Sequence, residues 1–267
     1  VYLPTWRPMK LPVSVFIITL NEELHLEKTL KSVQNCFEII VVDSGSSDNT
    51  CSIAKKYGAK VFHKEWLGYA KQKQFALSCC TQNWALNLDG DEEITPEFLT
   101  RMKTVISEDI YTSVRFKRND IFIGKSLSKW SKKPNNLRFY KRELAHFDDS
   151  RLVHESAYVK GKELYVSESF KHYGYGTISC LNEKNNTYST LKAKEKFTKN
   201  KAYSTPKLIL VFPLFFCKEY FLHRKFLSGM RGFILSVLKA HYAFLKEAKL
   251  YEYHENEKLQ KYEKENN

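Results

Sequence analysis

The stretch from Asn83 to Glu93, NWALNLDGDEE, decides the fold of this chain of 267 residues. Its segment Trp84–Leu88 is predicted as a short buried strand, because four of its five residues are apolar. The strand runs directly into four carboxylates, those of Asp89, Asp91, Glu92 and Glu93. So much negative charge at the end of an apolar strand is costly unless another group compensates it. A divalent cation would do so, because hard cations bind carboxylate oxygens and then hold substrate phosphates.

Gly90 separates the first two carboxylates and permits a tight turn, so that Asp89 and Asp91 can address one site. The alternative is a solvated acidic turn before a helix that begins near Pro96, with Thr95 as its N-cap. The stretch alone does not decide between the two interpretations. The preceding part of the chain does.

Strands and helices alternate through that preceding part. Apolar, β-rich runs at Val13–Thr19 and Glu38–Asp43 predict strands buried on both faces, and Ala59–His63 predicts a third, short strand. A helix predicted after Asn21 carries its apolar residues on one side, namely Leu24, Leu26, Leu30 and Val33. The next predicted helix ends at Gly58, which serves as its C-cap.

This alternation implies a parallel sheet with right-handed crossovers, in which ligands bind beyond the carboxyl ends of the strands. Three polar clusters follow strand ends, namely Thr19–Glu22, Asp43–Asn49 and Asp89–Glu93. We therefore expect all three clusters to face one crevice. That convergence favours a metal site at Asp89 and Asp91 over a solvated acidic turn.

The pattern changes after Pro96. Val114–Ile123 and Leu137–Tyr140 predict further strands, and the chain is predicted to be helical from Ile178 onward. Apolar residues recur there at three- and four-residue steps, at Phe226, Met230, Phe233, Ile234, Val237, Leu238 and Leu245. This stripe can pack into the protein's own core or face a partner, and the core is the favoured destination. We predict an α/β domain over residues 1–177 and a helical, basic region over residues 178–267.

Positive charge is concentrated in the C-terminal third of a chain whose net charge is +13. Residues 171–267 carry 18 Lys and Arg against 9 Asp and Glu, whereas residues 1–170 carry 25 against 21. This balance predicts an anionic partner: nucleic acid, an acidic membrane surface or a phosphorylated acceptor. A nucleic-acid-binding protein is disfavoured, because the basic residues are spread along helices and no RNA- or DNA-binding motif is present.

Cysteine usage and hydropathy predict a cytoplasmic location. The six cysteines lack CxxC spacing and are typical of free thiols in a reducing compartment. The longest apolar run, Leu208–Cys217, is about half the ~20 residues that a membrane span needs, and Pro213 interrupts it. Residues 1–10 lack the apolar h-region of a signal peptide, so none is predicted. Met9 and Lys10 look like a natural start, and we interpret residues 1–8 as an upstream extension.

Three motifs, in this order, resemble inverting glycosyltransferases of family 2 with the GT-A fold: FIITLNEE (16–23), EIIVVDSGSSDNT (38–50) and NWALNLDGDEE (83–93). Four more are similar to motifs of lipopolysaccharide core β-1,4-glucosyltransferases: GYAKQKQFAL (68–77), NLRFYKR (136–142), LVHES (152–156) and FKHYGYG (170–176). The resemblance implies an α/β fold of the GT-A (Rossmann-like) type. Such a fold has a mixed, mainly parallel sheet flanked by helices, here with a helical C-terminal extension.

The resemblance also implies roles for residues at the three strand ends. Asn21 and Glu22 would line the nucleotide pocket, and we include Thr19 with them among the nucleotide-sugar contacts. Asp43 stands where the family's aspartate accepts a hydrogen bond from uracil N–H. An Asx-type turn cap is the alternative for Asp43, and the two roles can coexist. Asp89 matches the carboxylate beside the ribose and the metal, and Asp91 matches the metal ligand.

Two further roles follow from the subfamily motifs. An inverting transfer needs a general base, and Glu155 stands where the subfamily carries its candidate base. The alternative for Glu155 is a surface carboxylate paired with Arg151. His172 is a third metal ligand or a diphosphate contact, with a plain structural histidine as the alternative.

Basic residues near the crevice are implied to meet phosphate. Arg138 would contact the diphosphate or a phosphate of the acceptor, because a planar guanidinium matches phosphate bidentately. The alternative is an ion pair with a nearby carboxylate. Lys71 and Gln72 lie on a helix predicted to run close to the crevice, and we include Lys71 among the nucleotide-sugar contacts.

The implied activity is inverting transfer of a sugar from a nucleotide donor, with Mg²⁺ or Mn²⁺ as cofactor. UDP-glucose is the implied donor, and a heptose of a lipopolysaccharide or lipooligosaccharide inner core is the implied acceptor. The enzyme would then work in the cytoplasm, peripherally attached to the anionic inner face of the inner membrane. A polyprenyl-phosphate or other cell-surface glycan glycosyltransferase is the alternative, disfavoured by the VHES and KHYGYG motifs.

Overall fold

The computed structural model describes residues 10–148 and 156–266, apart from the side chain of Glu265. These residues form two compact units. The first contains residues 10–118, 134–148 and 156–172, and the second contains residues 119–133 and 173–266. The predicted division at residue 177 differs from this grouping chiefly because the basic loop around residues 119–133 belongs with the C-terminal helices.

The first unit begins with alternating strands and helices. They are β1 Leu11–Thr19, α1 Leu26–Ser32, β2 Cys36–Asp43, α2 Thr50–Lys56, β3 Lys60–His63, α3 Tyr69–Ser78 and β4 Trp84–Asp89. The four strands are parallel and lie in the order β3-β2-β1-β4. Register places Thr19 beside Asp43 and Ile18 beside Asp89. The polar clusters predicted to converge therefore lie at one edge of the sheet.

The remaining strands extend the sheet in antiparallel fashion. The elements are β5 Glu92–Ile94, α4 Pro96–Glu108, β6 Ser113–Phe122, β7 Lys125–Ser126, β8 Asn135–Lys141, β9 Ala145–His146, β10 Tyr158–Val159 and β11 Glu163–Tyr175. The sheet order continues β4-β8-β6-β11-β5, with β7 on β6, while β9 and β10 form a separate two-stranded sheet. A mixed sheet flanked by helices confirms the predicted fold class.

Apolar cores cover both faces of this sheet, which explains the uninterrupted apolar runs of β1 and β2. Ile17 packs on one face with Phe98 and Phe116, and Phe16 packs on the other with Tyr140. Thr95 caps α4, because its side chain accepts a hydrogen bond from the backbone N–H of Phe98.

One predicted member of the α1 face is wrong. Leu26, Leu30 and Val33 are buried, but Leu24 is 78% exposed. The reason is that α1 begins at Leu26, later than predicted, and the residues before it form a turn. Asn21 in that turn has φ +55°, a left-handed conformation that Asn adopts more readily than most residues.

The second unit is mainly helical. It contains α5 Ile178–Thr198, α6 Thr205–Cys217, a π-helical turn at Lys218–Leu222, a 3₁₀ turn at Lys225–Ser228 and α7 Gly229–Glu265. Phe122, Leu181 and Leu235 form its core, with Tyr175, Ile234 and Leu238 packed against them. None of the helices among the described residues combines the length and the apolar character that a membrane span requires.

The predicted burial of the C-terminal apolar stripe is wrong for three of its members. Phe226, in the 3₁₀ turn before α7, and Met230 and Phe233 of α7 are exposed. The buried face of α7 contains Leu235, Ala240, Ala243 and Leu250 instead. Apolar residues occupy more of the helix circumference than its packing partners can cover. Periodicity therefore identified an amphipathic helix correctly but chose a face shifted by one to two residues.

Candidate active site

Asp43 lies at the carboxyl end of β2, and protein donors surround its carboxylate. Thr19 Oγ1 donates to it at 3.0 Å, and the backbone N–H groups of Gly45 and Ser46 each donate at 2.9 Å. The Ser46 hydroxyl donates as well. Burial disfavours the ionised form, but the hydrogen bonds from Ser46, Gly45 and Thr19 outweigh it and lower the pKa of Asp43. The turn-cap interpretation of Asp43 is thus confirmed, and its nucleotide role stays a prediction.

The turns after β1 and β2 are joined by hydrogen bonds. The backbone N–H of Asn21 donates to Ser46 Oγ at 2.8 Å, and Asn21 Oδ1 accepts from the Ser47 N–H at 2.9 Å. The backbone N–H of Glu22 donates to Thr50 Oγ1 at 2.8 Å. These bonds fix two predicted pocket segments to each other and explain why a non-glycine residue is held at positive φ.

Asp89 ends β4 between two cations from different elements. Its carboxylate contacts Lys73 Nζ of α3 at 3.1 Å and Arg138 Nη2 of β8 at 2.8 Å. Burial disfavours its charge, but Lys73 and Arg138 hold the pKa of Asp89 well below its usual range. The ion-pair alternative for Arg138 is therefore present in the structure.

Arg138 is itself held by a fully buried glutamate, Glu92 of β5. Burial alone would lower the pKa of the guanidinium, but Glu92 and Asp89 reverse this effect and raise it. The Nε atom of Arg138 is buried and has no hydrogen-bond partner among the described residues. The guanidinium therefore keeps one N–H donor that the described residues leave unused.

Gly90 makes the tight turn after Asp89 possible. A Cβ atom at Gly90 would lie 2.9 Å from Cγ of Glu22, so a larger residue would displace that side chain. The Gly90 carbonyl accepts a hydrogen bond from Thr29 Oγ1 at 2.9 Å, which anchors the turn to α1. The turn brings the Asp91 carboxylate to a position where Oδ2 lies 3.8 Å from Nε2 of His172.

The three predicted metal ligands are only partly brought together. Asp91 and His172 are neighbours, whereas Asp89 is engaged by Lys73 and Arg138. In the chain outside residues 1–9, 149–155 and 267, no group of three or more His, Cys, Asp or Glu side chains is arranged to hold a metal ion. The carboxylate–imidazole pair would thus need oxygen ligands from a substrate to complete a metal site.

Lys73 and Glu92 have no predicted role in the sequence analysis, although both lie at this edge. Lys73 is almost fully buried and pairs with Asp89, whereas Lys71, the predicted contact, lies on the exposed side of α3. Gln72 is buried and donates to Ser44 Oγ and to the carbonyl of Lys64. In the sequence, Glu92 is one of four neighbouring carboxylates, and nothing local distinguishes it as the partner of Arg138. The KQK segment (71–73) offers two lysines, but the sequence does not determine which of them lies on the side of α3 that faces Asp89.

The predicted general base, Glu155, lies outside the described residues, as does its alternative partner Arg151. Its role remains a prediction.

Comparison with known proteins agrees with this architecture. The profile of glycosyl transferase family 2 matches residues 14–163. The lipopolysaccharide core biosynthesis glycosyltransferase LpsC of Rhizobium meliloti is 36% identical over 259 residues, covering 92% of this chain and 94% of that protein. An uncharacterized glycosyltransferase of Rickettsia typhi is 35% identical, covering 90% and 87% of the two chains.

Among solved structures, that of S. aureus TarS is similar in fold. It superposes with a TM-score of 0.50 at 18% identity, covering 91% of this chain and 54% of TarS. A TarS fragment of residues 1–349 in complex with UDP-GlcNAc gives the same TM-score at 16% identity, covering 93% and 92% of the two chains.

Proposed function

The chain belongs to glycosyl transferase family 2, and from this premise we propose that it transfers glucose from UDP-glucose to a lipopolysaccharide inner-core heptose, with inversion. The observation that carries the proposal is the cluster of Asp43, Asp89, Lys73, Arg138 and Asp91 at one sheet edge. Carboxylates there suit a nucleobase and a metal, and cations suit a diphosphate. The relative named as a lipopolysaccharide core enzyme supports the choice of acceptor.

Donor binding would use both ends of this cluster. The carboxylate of Asp43 would accept a hydrogen bond from uracil N–H, because the hydrogen bonds that lower the pKa of Asp43 favour its ionised form. Arg138 would exchange part of its contact with Asp89 for the diphosphate, to which its unused Nε can donate. The TarS complex with UDP-GlcNAc, a protein of similar fold, is in keeping with a uridine diphosphate sugar.

Asp91 and His172 would hold Mg²⁺ or Mn²⁺ together with diphosphate oxygens. The Asp91 carboxylate and the diphosphate oxygens would suit magnesium, because proteins usually bind it through one or two carboxylates plus substrate phosphates. When bound, the metal would supply Lewis-acid stabilisation of the leaving diphosphate.

In the proposed transfer, a hydroxyl oxygen of the acceptor forms a bond to the anomeric carbon of the donor sugar. The bond from that carbon to the diphosphate oxygen breaks on the opposite face, and UDP leaves with the electron pair. The hydroxyl proton passes to a carboxylate base, for which we propose Glu155. Asp148 and Asp149 are the next candidates in the chain.

The acceptor would be met at a membrane surface. A lipid-linked core acceptor is anchored in the bilayer, and the excess of Lys and Arg over residues 171–267 suits the anionic inner face of the inner membrane. We therefore propose a peripheral, cytoplasmic location. A polyprenyl-phosphate acceptor is the second candidate, because it is also an anionic lipid.

A nucleotide-release assay across a panel of UDP-sugars tests the function, with de-glycosylated core oligosaccharide as acceptor. We expect release to depend on the acceptor, to be fastest with UDP-glucose, to stop on chelation and to return with Mg²⁺ or Mn²⁺. Acceptor-dependent release from another UDP-sugar alone would reassign the donor. Full activity after thorough chelation would contradict the proposal that transfer requires a divalent metal.

A further inference from the structure

The helix α6 exposes an apolar face to solvent along its whole length. Pro206, Ile209, Leu210, Pro213, Leu214 and Cys217, spaced at three- and four-residue steps, are all exposed, and we call them the α6 stripe. Ile209 is 67% exposed and Leu214 64%. The side of a surface helix that faces water normally carries polar residues. No charged residue lies between Lys207 and Lys218, so no charged side chain of this segment can cover the apolar face.

The exposed apolar surface continues beyond α6 into the turns that lead to α7. Phe221, Leu222, Phe226, Leu227 and Met230 are all exposed, Leu222 at 75%. Trp130, also exposed, belongs to a loop that is hydrogen-bonded to the same turns. In that loop, Ser131 Oγ donates to the Arg224 carbonyl at 3.0 Å and the Lys132 N–H donates to the His223 carbonyl at 2.9 Å.

A buried charge cluster holds these turns in place. Glu219 is buried and pairs with the buried Lys225, while His223 Nδ1 lies 2.9 Å from Glu219 Oε1. A Cβ atom at Gly232 would lie 1.8 Å from the Lys225 carbonyl oxygen, so the turn sits directly on the α7 backbone. The apolar side chains of the turns are therefore presented from a fixed backbone.

Positive charge accompanies this surface. Residues 201–231 contain six Lys or Arg and a single acidic residue, Glu219. Lys225 is buried against Glu219 and Lys207 pairs with Glu247 at 3.1 Å, so four cations remain for this surface, namely Lys201, Lys218, Arg224 and Arg231. Lys218 and Arg224 form no ion pair with a carboxylate in the part of the chain that the structure describes, and Lys218 Nζ lies over the Phe215 ring. Cations next to exposed apolar residues, with an aromatic side chain nearby, are typical of a helix that lies in the interface of an anionic bilayer.

We propose that the α6 stripe and the following turns insert into the interfacial layer of an anionic membrane, with α6 parallel to the surface. This inference rests on the proposed function, since it supplies the contact with the lipid-linked acceptor. A helix of 13 residues is about 20 Å long and cannot cross a hydrocarbon core of about 30 Å. A second copy of the chain would bring the same excess of cations face to face, which disfavours self-association.

Flotation of the full chain with vesicles tests the proposal, using phosphatidylcholine vesicles with and without phosphatidylglycerol. We expect binding to the anionic vesicles, and part of it should survive salt that shortens the Debye length to about 3 Å. Leu210→Asp combined with Leu214→Asp should lower the partition coefficient at least about tenfold at either salt concentration, because carboxylates resist transfer out of water.

The matched control is Ile110→Asp combined with Leu259→Asp, which makes the same chemical change at residues 56% and 59% exposed. It should lower partitioning less than about threefold, through charge repulsion alone. Leu222→Asp provides a second test within the turns if the double variant does not fold. Wild-type partitioning of both the double variant and Leu222→Asp would overturn the proposal.

Two more measurements separate the alternatives. If sedimentation shows a wild-type dimer that the double variant dissociates, with flotation unchanged, the stripe is an interface between copies and the proposal is wrong. Transfer to delipidated core oligosaccharide without vesicles should be the same for the double variant and the wild type. If no UDP-sugar supports transfer, the proposed function fails while the flotation result stands.

Discussion

At the sheet edge of the first unit, charged side chains are buried: Arg138, Lys73 and Glu92 are each less than 10% exposed. The second unit shows the opposite exception to the usual burial pattern, because its apolar residues Ile209, Leu214 and Leu222 expose most of their surface. Both arrangements cost free energy in the isolated chain, through desolvation of charge in one case and hydration of apolar surface in the other. The comparison teaches that each costly arrangement matches the ligand proposed for it: an anionic group with a metal at the sheet edge, and a lipid surface at α6.

The largest expected stability effect concerns the buried charges. Glu92→Ala should lower the free energy of unfolding by about 3–5 kcal/mol, because Arg138 loses its fully buried partner. Urea unfolding followed by circular dichroism measures the change. The counterpart in the second unit, Leu210→Asp with Leu214→Asp, should leave the unfolding midpoint close to that of the wild type.

The adjacent residue supplies the control. Glu93 pairs with Lys171 at 2.8 Å, but both side chains are partly exposed. Glu93→Ala should therefore cost less than about 1 kcal/mol. Equal costs for the two glutamates would remove the distinction between a buried, structured site and an ordinary surface ion pair.

A smaller effect on stability is expected at Glu38, a buried carboxylate whose charge is satisfied by protein donors alone. Glu38 of β2 accepts hydrogen bonds from Ser14 Oγ at 2.6 Å, the Thr81 N–H at 2.7 Å and Lys60 Nζ at 2.8 Å. Burial opposes ionisation, but the bonds from Lys60, Ser14 and Thr81 lower the pKa of Glu38 from 4.5 to about 2. The stabilisation is fully present above the unfolded pKa and is lost as pH falls toward the folded one.

Glu38→Gln should consequently flatten the dependence of stability on pH below 4.5. The wild type should lose about 1.4 kcal/mol more than the variant for each pH unit between pH 4.5 and pH 2, measured by urea unfolding. Parallel stability curves for the two proteins would show that the donors do not hold the carboxylate ionised.

Much of the first unit could be predicted because its signals are local. Continuous apolar runs predicted β1, β2 and β4, and strand ends predicted where Asp43 and Asp89 would converge. Thr95 and Gly58 marked helix ends through capping chemistry that needs no tertiary context. Strand β5 is not predicted, because Glu92 and Glu93 resemble acidic turn residues. The strand depends on distant residues, through its pairing with β11 and the contact of Glu92 with Arg138.

Helical phase was the main feature that the sequence left open. Lys71 and Lys73 are two residues apart, hence about 200° apart around α3, and only the packing of α3 on the sheet decides which one reaches Asp89. The same uncertainty affects α7, whose buried face does not include Met230 and Phe233. The exposed face of α6 could not be predicted, because residues 208–217 are uniformly apolar and show no periodicity that distinguishes a buried side from an exposed one.

The central claim is that the sheet edge around Asp43, Asp89 and Asp91 binds a uridine diphosphate with a divalent metal. Calorimetric titration of UDP into the wild type and into Asp91→Asn, each with Mn²⁺, tests it most directly. We predict that the wild type binds UDP and that the isosteric variant binds it at least about tenfold more weakly, because it loses a charged metal ligand. Chelation should weaken the wild type by the same factor and leave the variant unchanged. Equal UDP affinity in the two proteins, with and without metal, would contradict the account.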